Sequence, residues 1–194
     1  QQAAYTASLS AALAAGEEVL QQGGNSVEAV ETVIRIMEDD SLFNAGRGAV
    51  FTAEGIQELD ASIADGFTRN CGAVTGIRGY RHPISVARSV MDSSEHVFFS
   101  GHGAGAFAAA MGHEPALDEW FFTEKAHKRY LRAKRRAAKS DALADKKGTV
   151  GCVALDSQGN LAAGTSTGGM TYKKHGRIGD SPIVGAGTWA DNRT

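Results

Sequence analysis

The feature that most constrains this chain is the change of composition at the Gly148-Thr149 peptide bond. Before the bond runs a charged stretch rich in Lys and Ala; after it, GTVGCVALDSQGNLAAGTSTGGM is built mainly of Gly, Thr and small apolar residues. Thr149 to Leu155 alternates, with Val150, Cys152 and Ala154 on one side and Thr149, Gly151 and Val153 on the other, which is the period of a strand. Asp156 to Asn160 is a Gly-containing turn, and Leu161 to Thr167 returns as the second strand of a hairpin. That pairing brings Thr167 back beside Thr149.

A threonine at this place has a chemical use. Its hydroxyl is a poor nucleophile without an adjacent base, and an N-terminal Thr carries its own base in an α-amino group of pKa about 7.7–8.0. Scission of Gly148-Thr149 creates such a residue. Gly148, lacking a Cβ, tolerates the strained backbone that exposes its carbonyl to the Thr149 hydroxyl. An N-to-O acyl shift followed by ester hydrolysis then frees the nucleophile.

The preceding residues alternate helices and strands. Tyr5, Leu9, Ala12, Leu13, Val19 and Leu20 recur at helical spacing up to Gly23-Gly24. Asn25 with Glu28 three places on forms a capping box for a second helix, whose buried stripe is Val27, Val30, Ile34 and Met37 and whose end falls near Glu38. Ser41 to Thr52 is expected to be a tight loop entering a strand. Glu58 to Ile63 and Cys71 to Ile77 read as strands, with Asp60 and Asp65 at a sheet edge in turn or solvent roles rather than as catalytic acids. Pro83 starts a helix through Met91, HVFFS at 96–100 reads as a short buried strand, and a further helix is expected from about Gly105. GHGAGA at 101–106 matches a dinucleotide-turn pattern, a weak signal without the acidic strand end that should follow.

Thr123 caps a basic helix through EKAHKRYLRAKRRAAKS, with charges expected all round its circumference, and DALADKKG then reads as a linker. A solvated face is preferred to a nucleic-acid patch. The formal net charge of -2 likewise gives no reason to expect nucleic acid or an anionic membrane as partner, and no apolar run approaches the roughly 18 residues of a bilayer-spanning helix. With 194 residues and 42% hydrophobic content, one core-bearing domain is expected. Cys71 and Cys152 stand in no metal or redox spacing, which suits a reducing, cytoplasmic setting.

GTVGCVALDSQGNLAAGTSTGGM and GRIGDSPIVGAGTWADN resemble the signature of the plant-type L-asparaginase and isoaspartyl peptidase family of N-terminal nucleophile hydrolases, and LFNAGRGAVFT and ELDASIADG resemble its upstream motifs. The resemblance spans nearly the whole chain. It implies an α/β (α+β) four-layer αββα sandwich, here truncated, in which 1–194 form one domain, 1–148 the α-subunit portion and 149–194 the start of the β-subunit. It also implies autocleavage at Gly148-Thr149 and a dimer of αβ heterodimers. The substrates implied are small molecules: L-asparagine and β-aspartyl dipeptides.

Carried over by motif, Thr149 is nucleophile and Thr167 tunes it. Arg177 clamps the substrate carboxylate, a task suited to a planar guanidinium, and Asp180 receives the ammonium. Asn44 and Gly168 border the site. Backbone carbonyls at Glu38, Phe43, Ala45 and Arg47 resemble a structural sodium loop, and no organic cofactor is implied. By themselves these residues also fit strand threonines, a surface ion pair and a plain helix-to-strand connection. The family's His-Gly-Gly-Ala-Gly-type strand and its oxyanion Thr-Gly-x-Gly segment are not within these residues, so the chain is expected to be a piece of a longer protein. Two alternatives stand beside the hydrolase reading: an incompetent fragment or unprocessed precursor serving as a structural module, and a glycosylasparaginase-type amidase.

Overall fold

A computed structural model describes residues 2–139 and 148–193. The linker expected at 141–147 lies outside the described residues. Among them, five strands form one mixed sheet of order β3-β2-β1-β5-β4, made by β1 (Leu59–Asp65), β2 (Cys71–Ile77), β3 (Phe98–Ser100), β4 (Val150–Leu155) and β5 (Leu161–Thr167). All neighbours are antiparallel except β2 with β3. This is the mixed α/β class expected from the sequence.

One face of the sheet is packed by α2 (Ser26–Asp39), α3 (Pro83–Ser93) and α4 (Gly101–Ala110). Asn25 and Glu28 make the predicted reciprocal cap, and Val27, Val30, Ile34 and Met37 are buried as the stripe required. The approach is close: a Cβ on Gly164 of β5 would lie 2.7 Å from Val30 Cγ1 and 2.9 Å from Ile34 Cδ1, and one on Gly72 of β2 would lie 2.1 Å from the Ala87 carbonyl oxygen. Asp156, in the β4–β5 turn, accepts from the Ser26 amide at 3.1 Å and so ties the hairpin to the start of α2. The opposite face is covered over β1 and β5 by the segment after Asp180, where Ala64, Ala163 and Ala190 pack together. Over β4 no described residue covers that face, and Val153 is 79% exposed.

Several expectations are corrected by these contacts. Helix α1 (Gln2–Gln21) buries Ala12 and Gly16 and leaves Leu9 and Leu13 exposed, because its small-residue face, not its leucines, meets Val33 of α2. The loop at Ser41 to Thr52 does not run into a strand at its end: Gly46–Gly48 form a 3-10 turn and Ala49 to Thr52 are buried irregular chain. β1 is the middle strand, not an edge, so Asp60 is 1% exposed while Asp65 serves a turn by accepting from the Phe67 amide. β3 is an edge strand of this sheet, and Phe98 is exposed rather than buried. α4 begins at Gly101, so GHGAGA forms helical turns and not the strand-to-helix loop that a dinucleotide needs. The basic helix α6 (Glu124–Ala137) is capped by Thr123 as expected, yet its charges do not encircle it: Ala126, Tyr130 and Ala133 form a buried face. A four-residue α5 (Asp118–Phe121) precedes it, and no described helix is long and apolar enough to cross a membrane.

Candidate active site

The β4–β5 pairing sets Val150 opposite Ser166, so the residues just outside that pair, Thr149 and Thr167, meet at one end of the hairpin. There a cavity of about 320 Å³ is lined by Gly148, Thr149, Thr167, Gly169, Met170, Arg177, Gly179, Asp180 and Ser181. Thr149, Thr167, Arg177 and Asp180, drawn from two separate sequence motifs, thus face one space. Thr167 is buried, whereas Arg177 and Asp180 are exposed to the opening.

Asn44 and Gly168 lie against the rim residues. Asn44 donates from Nδ2 to the Gly148 carbonyl at 2.7 Å and to the Gly169 carbonyl at 2.7 Å, while its Oδ1 accepts from the Val50 amide at 2.9 Å. Its own carbonyl accepts from the Gly168 amide at 3.0 Å. Gly168 admits no side chain, since a Cβ there would stand 2.7 Å from Asn44 Oδ1 and 2.8 Å from Ala49 Cβ. The loop 40–48 is therefore bound to the hairpin end through one buried amide side chain.

The Gly148 carbonyl also accepts from Thr167 Oγ1 at 3.1 Å, and Thr167 Oγ1 accepts from the Gly169 amide at 3.0 Å. Gly148 has φ +100°, a conformation that side chains resist. Two donors thus polarise one carbonyl whose neighbour is Thr149. In the uncut chain the Thr167 proton serves this carbonyl, and Thr149 Oγ1 instead meets Ser181 Oγ at 3.2 Å.

Below the cavity stands a buried ion pair that sequence reasoning missed. Lys173 Nζ, with its side chain 2% exposed, lies 3.9 Å from Asp60 Oδ2 and 3.1 Å from the Glu58 carbonyl. A Cβ on Gly169 would touch both Lys173 Cδ at 3.2 Å and the Arg177 guanidinium at 3.3 Å, so the two cationic side chains cover the same glycine. Tyr172 is half-buried at φ 64° and packs on Tyr130 of α6 with ring centroids 5.9 Å apart. His175 is exposed. The signal for Lys173 was its place beside Tyr172 in TYKKHG, but periodicity does not distinguish Lys173 from Lys174, which is exposed.

Glu38 lies in the last turn of α2, with its side chain fully enclosed. Its Oε1 accepts from Ser166 Oγ at 2.6 Å and from the Ile84 amide at 3.1 Å, while Oε2 has no hydrogen-bond partner among the described residues. Burial pushes its carboxyl well above the usual range, opposed by those hydrogen bonds. After Glu38 the chain curls so tightly that a Cβ on Gly46 would be 2.3 Å from the Glu38 carbonyl oxygen and one on Gly48 1.9 Å from that of Phe43. In the same loop the Ala45 carbonyl accepts from the Gly48 amide at 3.0 Å. No cluster of three His, Cys, Asp or Glu residues able to hold a metal occurs among the described residues.

The family described as "Asparaginase" matches residues 1–194. The chain is 46% identical over 199 residues to an isoaspartyl peptidase of Escherichia coli, covering 99% of this chain and 62% of that protein. An isoaspartyl peptidase/L-asparaginase of Xenopus laevis is 42% identical over 192 residues, covering 98% and 62%, and one of Bos taurus is 46% identical over 179 residues, covering 91% and 58%. The chain spans about three-fifths of the length of these curated relatives. A match running from the first residue to the last, through every motif that meets at this cavity, places the chain in the asparaginase family.

Proposed function

We propose that these residues form the larger part of an autoprocessing amidohydrolase acting on L-asparagine and β-aspartyl dipeptides, with Thr149 as nucleophile. The observation that carries the reading is the Gly148 carbonyl, gripped by Asn44 Nδ2 at 2.7 Å and Thr167 Oγ1 at 3.1 Å beside the Thr149 hydroxyl. The substrate class is taken from the names of the relatives, isoaspartyl peptidase and L-asparaginase.

In this reading Thr149 Oγ1 adds to the Gly148 carbonyl carbon. The charge that develops on the Gly148 oxygen is stabilised by Asn44 and Thr167, donors that in comparable sites are worth roughly 3–4 kcal/mol each. Collapse breaks the C–N bond and leaves Gly148 as an ester on Thr149, and water hydrolyses it. Residues 1–148 and those from Thr149 onward are then separate subunits, and the freed α-amine is the base for the same hydroxyl. A substrate enters with its α-carboxylate on Arg177 and its α-ammonium on Asp180, which presents the β-amide to Thr149. Acyl transfer releases ammonia or an amino acid, and water hydrolyses the aspartyl ester.

The reading extends to a dimer of αβ heterodimers, to a sodium ion on the carbonyls of Glu38, Phe43, Ala45 and Arg47, and to a cytoplasmic setting. The unpaired, half-buried Cys71 and Cys152 suit that setting. Sodium would supply no step of the reaction; it would stiffen the loop that carries Asn44.

Intact-mass analysis of the full-length protein tests the proposal. Two species are expected, the second beginning at Thr149, and Thr149→Ala should leave one species that releases no ammonia from asparagine. A folded wild type that stays uncut and inert, or a Thr149→Ala variant that still matures, overturns the reading.

A further inference from the structure

Ser181 follows the residue assigned to the substrate ammonium, and its main chain is held from several sides. Its carbonyl accepts from Ser62 Oγ at 2.6 Å and from Thr165 Oγ1 at 2.8 Å, and Thr188 Oγ1 stands 3.5 Å away. Ser62 also meets Thr188 Oγ1 at 2.7 Å, so hydroxyls of β1, β5 and the loop after it form one lattice around a single carbonyl. Gly187 closes the same turn, because a Cβ there would lie 2.5 Å from the Asp180 carbonyl oxygen and 2.7 Å from Ser181 Cα. The backbone at 180–181 is thereby fixed to the middle of the sheet, and Ser181 is 3% exposed.

The Ser181 side chain takes no part in that lattice. Its Oγ points to Thr149 Oγ1 at 3.2 Å. Thr167, the residue expected to hold the nucleophile, has its proton on the Gly148 carbonyl and accepts from the Gly169 amide. Its one donor is thus committed in the uncut chain. The hydroxyl facing Thr149 Oγ1 is that of Ser181, which is buried and stands on a main chain fixed to the sheet.

We propose that Ser181 is a positioning residue that selects the Thr149 side-chain rotamer from which attack on the Gly148 carbonyl, and later on substrate, takes place. The proposal rests on the reading of Thr149 as nucleophile. A threonine hydroxyl has three staggered orientations of χ1, and a partner fixed to the sheet favours one of them. Because Asp180 and Ser181 are consecutive, one rigid peptide registers substrate and nucleophile together, and small misplacements of reacting atoms are costly in rate.

The test is Ser181→Ala in the full-length protein. Alanine retains the main-chain carbonyl that the lattice uses, so the melting temperature should stay near that of wild type. The expected result is a fall of roughly 3- to 10-fold in the first-order rate of self-cleavage and in kcat for asparagine, the loss of one favoured rotamer among three plus its alignment, with KM within about twofold. Ser181→Cys, of similar volume but with a weak hydrogen-bonding thiol, should show the same pattern and serves if the alanine variant fails to fold. A folded variant with both rates within twofold of wild type overturns the proposal, as does a rise in KM at unchanged kcat. Thr149→Ala run alongside separates the two readings: if it is inert while Ser181→Ala is fully active, only the role of Ser181 falls.

Discussion

Replacing Lys173 by methionine removes one half of an ion pair with no ready substitute from solvent. Lys173 and Asp60 side chains are 2% and 1% exposed, so water does not rehydrate the carboxylate that remains. Breaking a buried pair at one partner typically costs about 3–5 kcal/mol. Here Asp60 Oδ1 keeps its bonds from Thr75 Oγ1 at 2.7 Å and the Gly76 amide at 2.9 Å, while Oδ2, which has no hydrogen-bond partner, loses the facing charge. Half-satisfaction puts the loss at the lower end, about 3 kcal/mol. For a chain of this size that corresponds to a fall in Tm of roughly 6–12 °C. Lys173 also packs beside Arg177 over Gly169, so the loop proposed to hold substrate loosens and, on that proposal, KM should rise more than kcat falls. Scanning calorimetry on full-length wild type, Lys173→Met, Asp60→Asn and the double variant closes a cycle in which the double loses less than the sum of the singles by at least about 1 kcal/mol. A single-variant loss under about 1 kcal/mol, or strict additivity, refutes the argument that this pair anchors the loop.

Two further outcomes follow from the same region. Glu38 has a raised pKa in the folded state, so above the ordinary value of 4.5 the unfolded chain ionises first and stability falls with rising pH, by at most about 1.4 kcal/mol per pH unit. Glu38→Gln cannot ionise and should flatten that slope, its Tm gaining on wild type as the pH rises above the ordinary carboxylate range; parallel profiles would contradict the burial argument. If sodium binds the loop after Glu38, exchanging sodium chloride for choline chloride at constant ionic strength should lower Tm and slow self-cleavage, and identical curves in the two salts dismiss the ion.

Much of the local structure was legible before any coordinates. Asn25 and Glu28 announce the start of α2, Cys71 to Ile77 form β2 with the bounds their pattern indicates, and the alternation after Thr149 gives the hairpin that sets Thr167 beside it. These are statements about neighbours a few residues apart, and side-chain periodicity encodes them directly. The motifs likewise named Thr149, Thr167, Arg177 and Asp180, and these do line one cavity.

What the sequence by itself determined is therefore the longer helices and the hairpin strands, and which residue types stand ready for chemistry. The tertiary structure decided which faces are covered and which distant groups meet. It made β1 the central strand, which turned Asp60 from an edge carboxylate into the buried partner of Lys173. It assigned the Thr167 proton to Gly148 and brought Ser181 to Thr149 across 32 residues. Strand order and loop closure set those encounters, and both depend on burial summed over the whole sheet rather than on the pattern of any one segment.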